Sequence, residues 1–432
     1  MDHGCSRSMR EVSRKTENLF YQETKMKRYC KHIIIDADFI KQSIYECLSD
    51  KWKRKDTAYF LSDFTNLSGK FIYKILANNR EFATGLIDTA AEAMALEIKN
   101  RTVSFAKINY SYRLDGNSGK VREIGVESIK QQVYDYVAVN ALKELFERKI
   151  GPYQCASIPG RGQVYGKKAI ERWIRKKPGQ NRVGAKGDIR QCYPSINREK
   201  LKRLLKKQVK NDDLLYLVFV LIDSYKQGLS IGSYLSQWLC NYYLSFAYHY
   251  AAEKLFKIRK KKDGTEIRSR LITNVLFYMD DFLITGTRKA DVKKAMQMLI
   301  KFLENFLDMS VKESWELFQI DWIDKNGKHH GKHIDMMGFK IYRDHTEIRR
   351  NIFLRARRAF CKANKYIKRK RQMPVELAYK CVAYYGWFKN SDSNYFIKKY
   401  GIEQLMKYAK RRVSIESKIY GKATTGTLET VV

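Results

Sequence analysis

Residues 274–286 read NVLFYMDDFLITG, and their pattern decides the fold. Two adjacent carboxylates, Asp280 and Asp281, stand between the apolar runs LF and FLI. Successive side chains of a strand point to opposite faces, so two neighbours reach one site only where the chain turns. The stretch therefore predicts two buried strands joined by a tight hairpin that carries both acids. Carboxylates beside apolar strands are costly unless a cation holds them, and a divalent metal meets that need. An Asp-Asp pair alone is a common surface feature, so a second signal is required.

That signal lies upstream, in AKGDIRQCYPSI, residues 185–196. Asp188 ends another apolar-flanked strand, and a helix begins near Asn197. A third carboxylate on an adjacent strand would complete a site for two Mg²⁺ ions, with Mn²⁺ able to substitute. Two such ions can activate a 3′-hydroxyl and stabilise leaving pyrophosphate. The protein's share of that chemistry is positioning.

Working outward, strand and helix patterns alternate irregularly. A hairpin is expected over 106–126, turning at Asp115-Gly116-Asn117. One helix is expected over ESIKQQVYDYVAVNALKELFERKI, and others over NREKLKRLLKKQV, DDLLYLVFVLIDSY and from Ser236 onward. KIRKKKDGTEIRSR reads as a basic hairpin tip, and KADVKKAMQMLIKFLENFL as an amphipathic helix. The series predicts an α+β class, with helices on one face of an antiparallel sheet. KNGKHHGKHID, with His329, His330 and His333, reads as a solvated hairpin loop.

The 432 residues carry 84 Lys and Arg against 46 Asp and Glu, a net charge of +38. Such an excess repels itself in a compact chain and suits a polyanionic partner, which exchanges its counterions for Lys and Arg. Between Ile348 and Val375 no acidic residue occurs, while Arg349, Arg350, Arg355, Arg358 and Lys362 accumulate. Phe353, Ala356, Phe360, Ala363 and Ile367 recur there at helical spacing, so one face packs and the other is cationic. The eight cysteines include no CxxC pair, which reads as reduced thiols in a cytoplasmic protein. No apolar leader is visible at the N-terminus, and Leu214–Ile222 is too short to cross a bilayer, so no membrane partner is expected.

DIRQCYPSI and FYMDDFLI, in that order and about 90 residues apart, resemble motifs A and C of reverse transcriptases. RLDGNSGKVREIGV resembles the finger hairpin, with Lys120 and Arg122 where that family grips the incoming triphosphate. CASIPGRGQVYGKKAI resembles the next finger–palm motif, with Arg161 as a nucleic-acid contact. QGLSIGSYLSQWLCNYYLS resembles motif B, FLDMSVKESWELF motif D and MMGFKIYRDHTEIRR motif E, the primer grip. The resemblance covers roughly 105–350. It implies a right-hand fold: an N-terminal helical extension over 1–104, fingers over 105–180, a palm over 181–345, and a basic helical thumb and tail over 346–432. It also implies metal ligation by Asp188, Asp280 and Asp281, a proton donor at Lys312, and a nucleotide pocket including Ile189, Tyr193, Ile231, Gly232 and Gln237. Tyr278 and the thumb cations would lie along template RNA and the RNA–DNA duplex, with dNTPs as substrates.

Two positions refine the resemblance. Tyr193 stands five residues after Asp188, where a bulky aromatic in this family blocks a ribose 2′-hydroxyl. Ile231 stands where most members carry the Gln of motif B. The IGxxxSQ form resembles enzymes of diversity-generating retroelements, which miscopy template adenines with an accessory protein, and some phage-defence reverse transcriptases that work with a cognate noncoding RNA. The leading expectation is error-prone cDNA synthesis in a retroelement; the defence role is the alternative. A non-catalytic RNA-binding scaffold is the rival of another class, and the three acids count against it.

Overall fold

The computed structural model describes residues 27–76, 80–114, 119 and 121–422. The expected turn at Asp115-Gly116-Asn117, and Lys120, lie outside the described residues. The chain opens with helices α1 (Ala37–Leu48), α2 (Lys55–Ser62), α3 (Gly69–Leu76) and α4 (Arg80–Lys99). Strands β1 (Asn109–Leu114) and β2 (Val121–Val126) pair antiparallel. Then come α5 (Ile129–Ala141), α6 (Lys143–Lys149), β3 (Gln154–Cys155), α7 (Gln163–Lys176), β4 (Val183–Asp188), α8 (Arg198–Gln208), α9 (Asp212–Asp223) and α10 (Tyr234–His249).

Side-chain caps fix several of these helix starts by satisfying otherwise orphaned N–H groups. Ser128 accepts from Gln131 N at 3.2 Å, Asn197 from Lys200 N at 3.0 Å, and Asn211 from Leu214 N at 2.9 Å. Ser233 accepts from Ser236 N at 3.1 Å, so α10 begins two residues before the expected Ser236. The single helix expected from Glu127 to Ile150 is broken at Leu142, whose φ of −83° and ψ of 0° leave the helical region.

The second half of the chain supplies β5 (Phe256–Lys260) and β6 (Glu266–Arg270), a separate basic hairpin, then β7 (Asn274–Tyr278) and β8 (Asp281–Gly286). Helix α11 (Lys289–Leu307) follows, with β9 (Glu316–Gln319), β10 (Trp322–Ile323), β11 (His329–His330), β12 (Ile334–Met336), β13 (Phe339–Ile341) and β14 (Thr346–Ile348). The long helices α12 (Arg350–Lys368), α13 (Val375–Lys389) and α14 (Ile402–Lys422) close it.

The central sheet has the order β3-β7-β8-β4-β9, antiparallel except for the short parallel β3–β7 pair. Strand alternation divides its side chains between two cores. Val275, Phe277, Phe282, Ile284, Val183 and Ala185 join the main core with α10 and α11. Leu276 and Leu283 join a second core, with Ala169, Ile170 and Trp173 of α7 and Ile334, Met336, Phe339 and Ile341 of β12–β13. Both faces are therefore covered, which corrects the expectation of helices on one face only. The near-continuous apolar runs of β7 and β8 are the sequence trace of that double burial.

Helices α12 to α14 bury a third cluster, around Phe360, Cys381, Phe388, Leu405 and Ala409. Ala356, Phe360 and Ala363 are buried there, with Phe353 and Ile367 packed against them. The cluster meets the sheet side through Ile348 of β14, one of its buried members, and through Trp387, tilted against Phe339 with ring centroids 4.9 Å apart. Gly338, at φ +83°, makes room for it, since a Cβ there would come within 2.4 Å of the indole.

Candidate active site

Tyr278 and Asp281 pair across the β7–β8 hairpin, which leaves Met279 and Asp280 as its two-residue turn. Met279 takes φ +53°, the left-handed conformation that so tight a turn demands. On the other side of β8, Asp281 is the register partner of Asp188 at the end of β4. Directly opposed residues of antiparallel strands lie about 4.5–5.5 Å apart at Cα and project to the same face. The turn is tied down as well, because Ile189 N–H donates to the Asp280 carbonyl at 2.9 Å. Asp188 thus meets the distant Asp280-Asp281 pair at one end of the central sheet.

Gly187 sits between them on the opposite face. A Cβ there would come within 2.4 Å of Phe282 and 2.7 Å of Met296, so its absence lets β4 lie close on the core.

Cations surround the acids. Lys312 Nζ is 2.5 Å from Asp188 Oδ1, Lys186 Nζ is 3.8 Å from Asp281 Oδ1, and Arg349 bonds Asp335 at 2.6 Å. Burial, and then the Asp188 charge, hold the Asp280 carboxyl above the usual carboxylate range, with Lys312 and Arg122 opposing. Burial also raises Asp281, with Lys186 opposing. Lys312 approaches Asp188 Oδ1 off the hydrogen-bond direction, so this buried oxygen has no aligned donor among the described residues. An oxygen in that condition, beside two further acids, fits a metal ligand. A cleft of about 260 Å³ opens on Asp188 and Asp281, bounded by Lys186, Glu316, His333 and Asp335.

The oxygens of the three acids are not drawn as close as another group. Among the described residues, Asp321, His329 and Asp344 are the cluster whose ligand atoms all lie within 4.8 Å of one another. Sequence reading missed it and expected a solvated loop. The hairpin is present, with His329 and His330 forming β11 against β10. His329 Nδ1 meets Asp321 at 2.8 Å and His330 Nε2 meets Asp324 at 2.8 Å, while His330 stacks on Trp322. Asp321, nearly fully buried, could not be linked to those histidines by sequence spacing alone.

The remaining expected residues distribute around the acids. Ile189 is buried and bridges Val311. Tyr193 lies in one helical turn, Cys192–Ser195, within electrostatic reach of Asp280, and its carbonyl accepts from Leu229 N at 2.9 Å. The Ile231 carbonyl accepts from Gly125 N of β2 at 2.9 Å. Gly232, at φ +116°, lies so close to the Gly125 carbonyl that a Cβ would come within 2.6 Å. Gln237 is half-buried on the first turn of α10. Arg122 is exposed on β2 and acts on Asp280 electrostatically. Tyr278 is half-buried against the second core.

Arg161 turns back onto its own loop, donating to the Gly151 carbonyl at 2.9 Å. Arg355, Arg358, Lys362 and Lys365 recur at three- and four-residue steps on one face of α12, opposite the buried Ala356 and Phe360, and Arg369 follows at its end. Arg358 and Lys362 line a groove of about 570 Å³ with Lys365 and Arg369. Arg350 is exposed at the start of the same helix.

No helix among the described residues is long and apolar enough to cross a membrane. No curated protein matches the chain. Residues 112–315 match the family described as Reverse transcriptase (RNA-dependent DNA polymerase), a span that runs from β1 past Lys312 and includes all three acids. The chain carries a reverse transcriptase domain of the polymerase fold, and it is an RNA-directed DNA polymerase.

Proposed function

We propose that the chain copies an RNA template into cDNA by two-metal-ion nucleotidyl transfer, with Asp188, Asp280 and Asp281 as the metal ligands, and that the copying is error-prone. The observation that carries the first part is the register pairing of Asp188 with Asp281, beside a turn that presents Asp280. Reverse transcriptases use divalent metal ions, and two Mg²⁺ would supply activation of the primer 3′-hydroxyl and charge neutralisation at the leaving pyrophosphate. Lys312, already at Asp188, would donate a proton to pyrophosphate. Arg122 and Lys120 would grip the triphosphate.

Tyr193 would close the pocket against a 2′-hydroxyl, which is one way a protein separates RNA from DNA building blocks. The groove cations of α12 would follow the phosphates of the RNA–DNA duplex, which position without reading sequence. The domain boundaries proposed are fingers over 105–180, palm over 181–345 and thumb from 346.

Error-prone copying rests on Ile231. A branched aliphatic cannot donate the hydrogen bonds that a Gln offers at this position, so control of base geometry loosens. This reading places the enzyme in a diversity-generating retroelement. A template and variable repeat pair beside the gene favours that role, and an adjacent structured RNA with phage protection on transfer favours defence. The chemistry is tested by primer extension on an RNA template with Mg²⁺. Asp280→Asn is expected to abolish synthesis while RNA binding survives; equal activity in wild type and variant removes the metal assignment.

A further inference from the structure

Two buried acids beside α10 are not used by the chemistry above. Asp135 on α5 is fully buried, and Glu127, just before α5, is 6% exposed. Asp135 Oδ2 accepts twice, from Ser233 Oγ at 2.6 Å and from Leu235 N at 3.0 Å. Ser233 is the cap of α10 and also pairs with the Tyr225 hydroxyl at 2.9 Å. With its own proton given to Asp135, Ser233 Oγ is left to accept from Tyr225 and Ser236 N, so every member of this small network has a role. One atom stands outside it. Asp135 Oδ1 is buried and receives no hydrogen bond from any ordinary donor among the described residues. The Glu127 carboxyl lies beside the Asp135 carboxyl and interacts with it. Two carboxyls can pair in a dry site only if one keeps its proton.

Ser233 directly follows Ile231 and Gly232, the segment whose backbone is bonded to Gly125 of β2. Asp135 therefore fixes one end of that segment and β2 the other. We propose that Asp135 and Glu127 are positioning residues for nucleotide selection: one proton shared between the two buried carboxyls keeps Ser233, and with it Ile231–Gly232, in place against the finger hairpin. This deepens the reading above, since it rests on Ile231 lining the nucleotide pocket.

The surroundings agree. Burial, and then the Asp135 charge, push Glu127 up to about 9, with the Ser233 hydroxyl and, more weakly, Lys51 opposing, while burial raises Asp135 less. The other titratable groups turned toward the pair are Tyr225 and the Cys47 thiol, both buried. At neutral pH Glu127 is thus the neutral partner and Asp135 the anion that holds Ser233. Loss of the Glu127 proton sets two anions side by side and loosens the clamp.

The test is single-nucleotide incorporation on an RNA template, with KM for the dNTP and kcat followed from about pH 7 to about pH 9. Wild type is expected to show a KM that rises several-fold across this range. Glu127→Gln, which keeps a donor that cannot ionise, is expected to hold a flat KM. Ionisation of template bases affects both proteins alike and cancels in the comparison. Should Glu127→Gln fail to fold, Asp135→Asn carries the same comparison, because its amide donates to Glu127 in place of the shared proton.

A second readout is thermal stability. A raised pKa means that the folded state holds a proton the unfolded chain has released, so stability falls as pH climbs from the ordinary glutamate range through about 9. Glu127→Gln is expected to remove that fall. Parallel KM profiles in wild type and variant overturn the proposal, as does a flat wild-type profile. Neither result bears on the metal ligands, which Asp280→Asn tests separately, nor on Ile231, which has its own variant below.

Discussion

Lys312 is tethered to Asp188 twice: its ammonium lies 2.5 Å from Oδ1, and its backbone N–H donates to the Asp188 carbonyl at 2.9 Å. The backbone bond fixes where the lysine can reach, and the side chain contacts the same carboxylate that is proposed to bind metal. Lysine and metal therefore draw on one oxygen. Lys312→Met is expected to lower the Mg²⁺ concentration at half-maximal rate, because a competing cation is gone. It is also expected to lower kcat by on the order of 10²-fold, the scale of a lost general acid. A Mg²⁺ titration of steady-state extension separates the two effects; an unchanged kcat would remove the proton-donor role.

Ile231 is held by its carbonyl to Gly125, so its side chain can be exchanged without freeing the backbone. Ile231→Gln is expected to reduce misincorporation opposite template adenine several-fold, with less change at other template bases. Sequencing of cDNA made in vitro reads this directly. An identical error spectrum would sink the link between Ile231 and fidelity.

Tyr193 is anchored through its carbonyl to Leu229 and lies near Asp280. Tyr193→Ala is expected to admit ribonucleotides, with the dNTP-to-rNTP preference in kcat/KM falling by a factor of ten or more, roughly the scale of one steric contact in a binding pocket. Strict rejection of rNTPs by the variant would place the gate elsewhere.

The cationic face of α12 predicts a salt effect. Neutralising Arg358 and Lys362 together is expected to weaken primer–template binding uniformly across sequences and to lower the slope of log affinity against log salt by about 1 per residue. Fluorescence anisotropy at several ionic strengths measures it. A full wild-type slope in the double variant would show that the duplex does not run along this groove.

The acids of the site were legible in the sequence because strand periodicity constrains them. Apolar runs on both sides of Asp280 and Asp281, and before Asp188, predict buried strands, and buried strands with acids at their ends predict a site. The cap at Ser233 shifts a helix start by two residues, which periodicity does not resolve, and the break at Leu142 splits one expected helix in two. What could not be read was tertiary. Asp135 occupies a helical position that a sequence pattern marks as polar and exposed, and only packing against α10 buries it. Asp321, His329 and Asp344 come together because β10 and β11 fold back onto the segment after β13, a contact that no spacing rule encodes. The cover on the second face of the sheet escaped for the same reason, since α7 and β12–β13 are remote from β7 and β8 in sequence.

The separation of hydrophobic clusters has a thermodynamic consequence. The apolar interior of α12–α14 meets the rest of the protein through Ile348 of β14 and Trp387 seated on Gly338 and Phe339. Elements with disjoint interiors melt as distinct cooperative units. Calorimetry of the full chain should resolve more than one transition, and a nucleic-acid ligand that touches the C-terminal helices should move one of them upward while leaving the other nearly still.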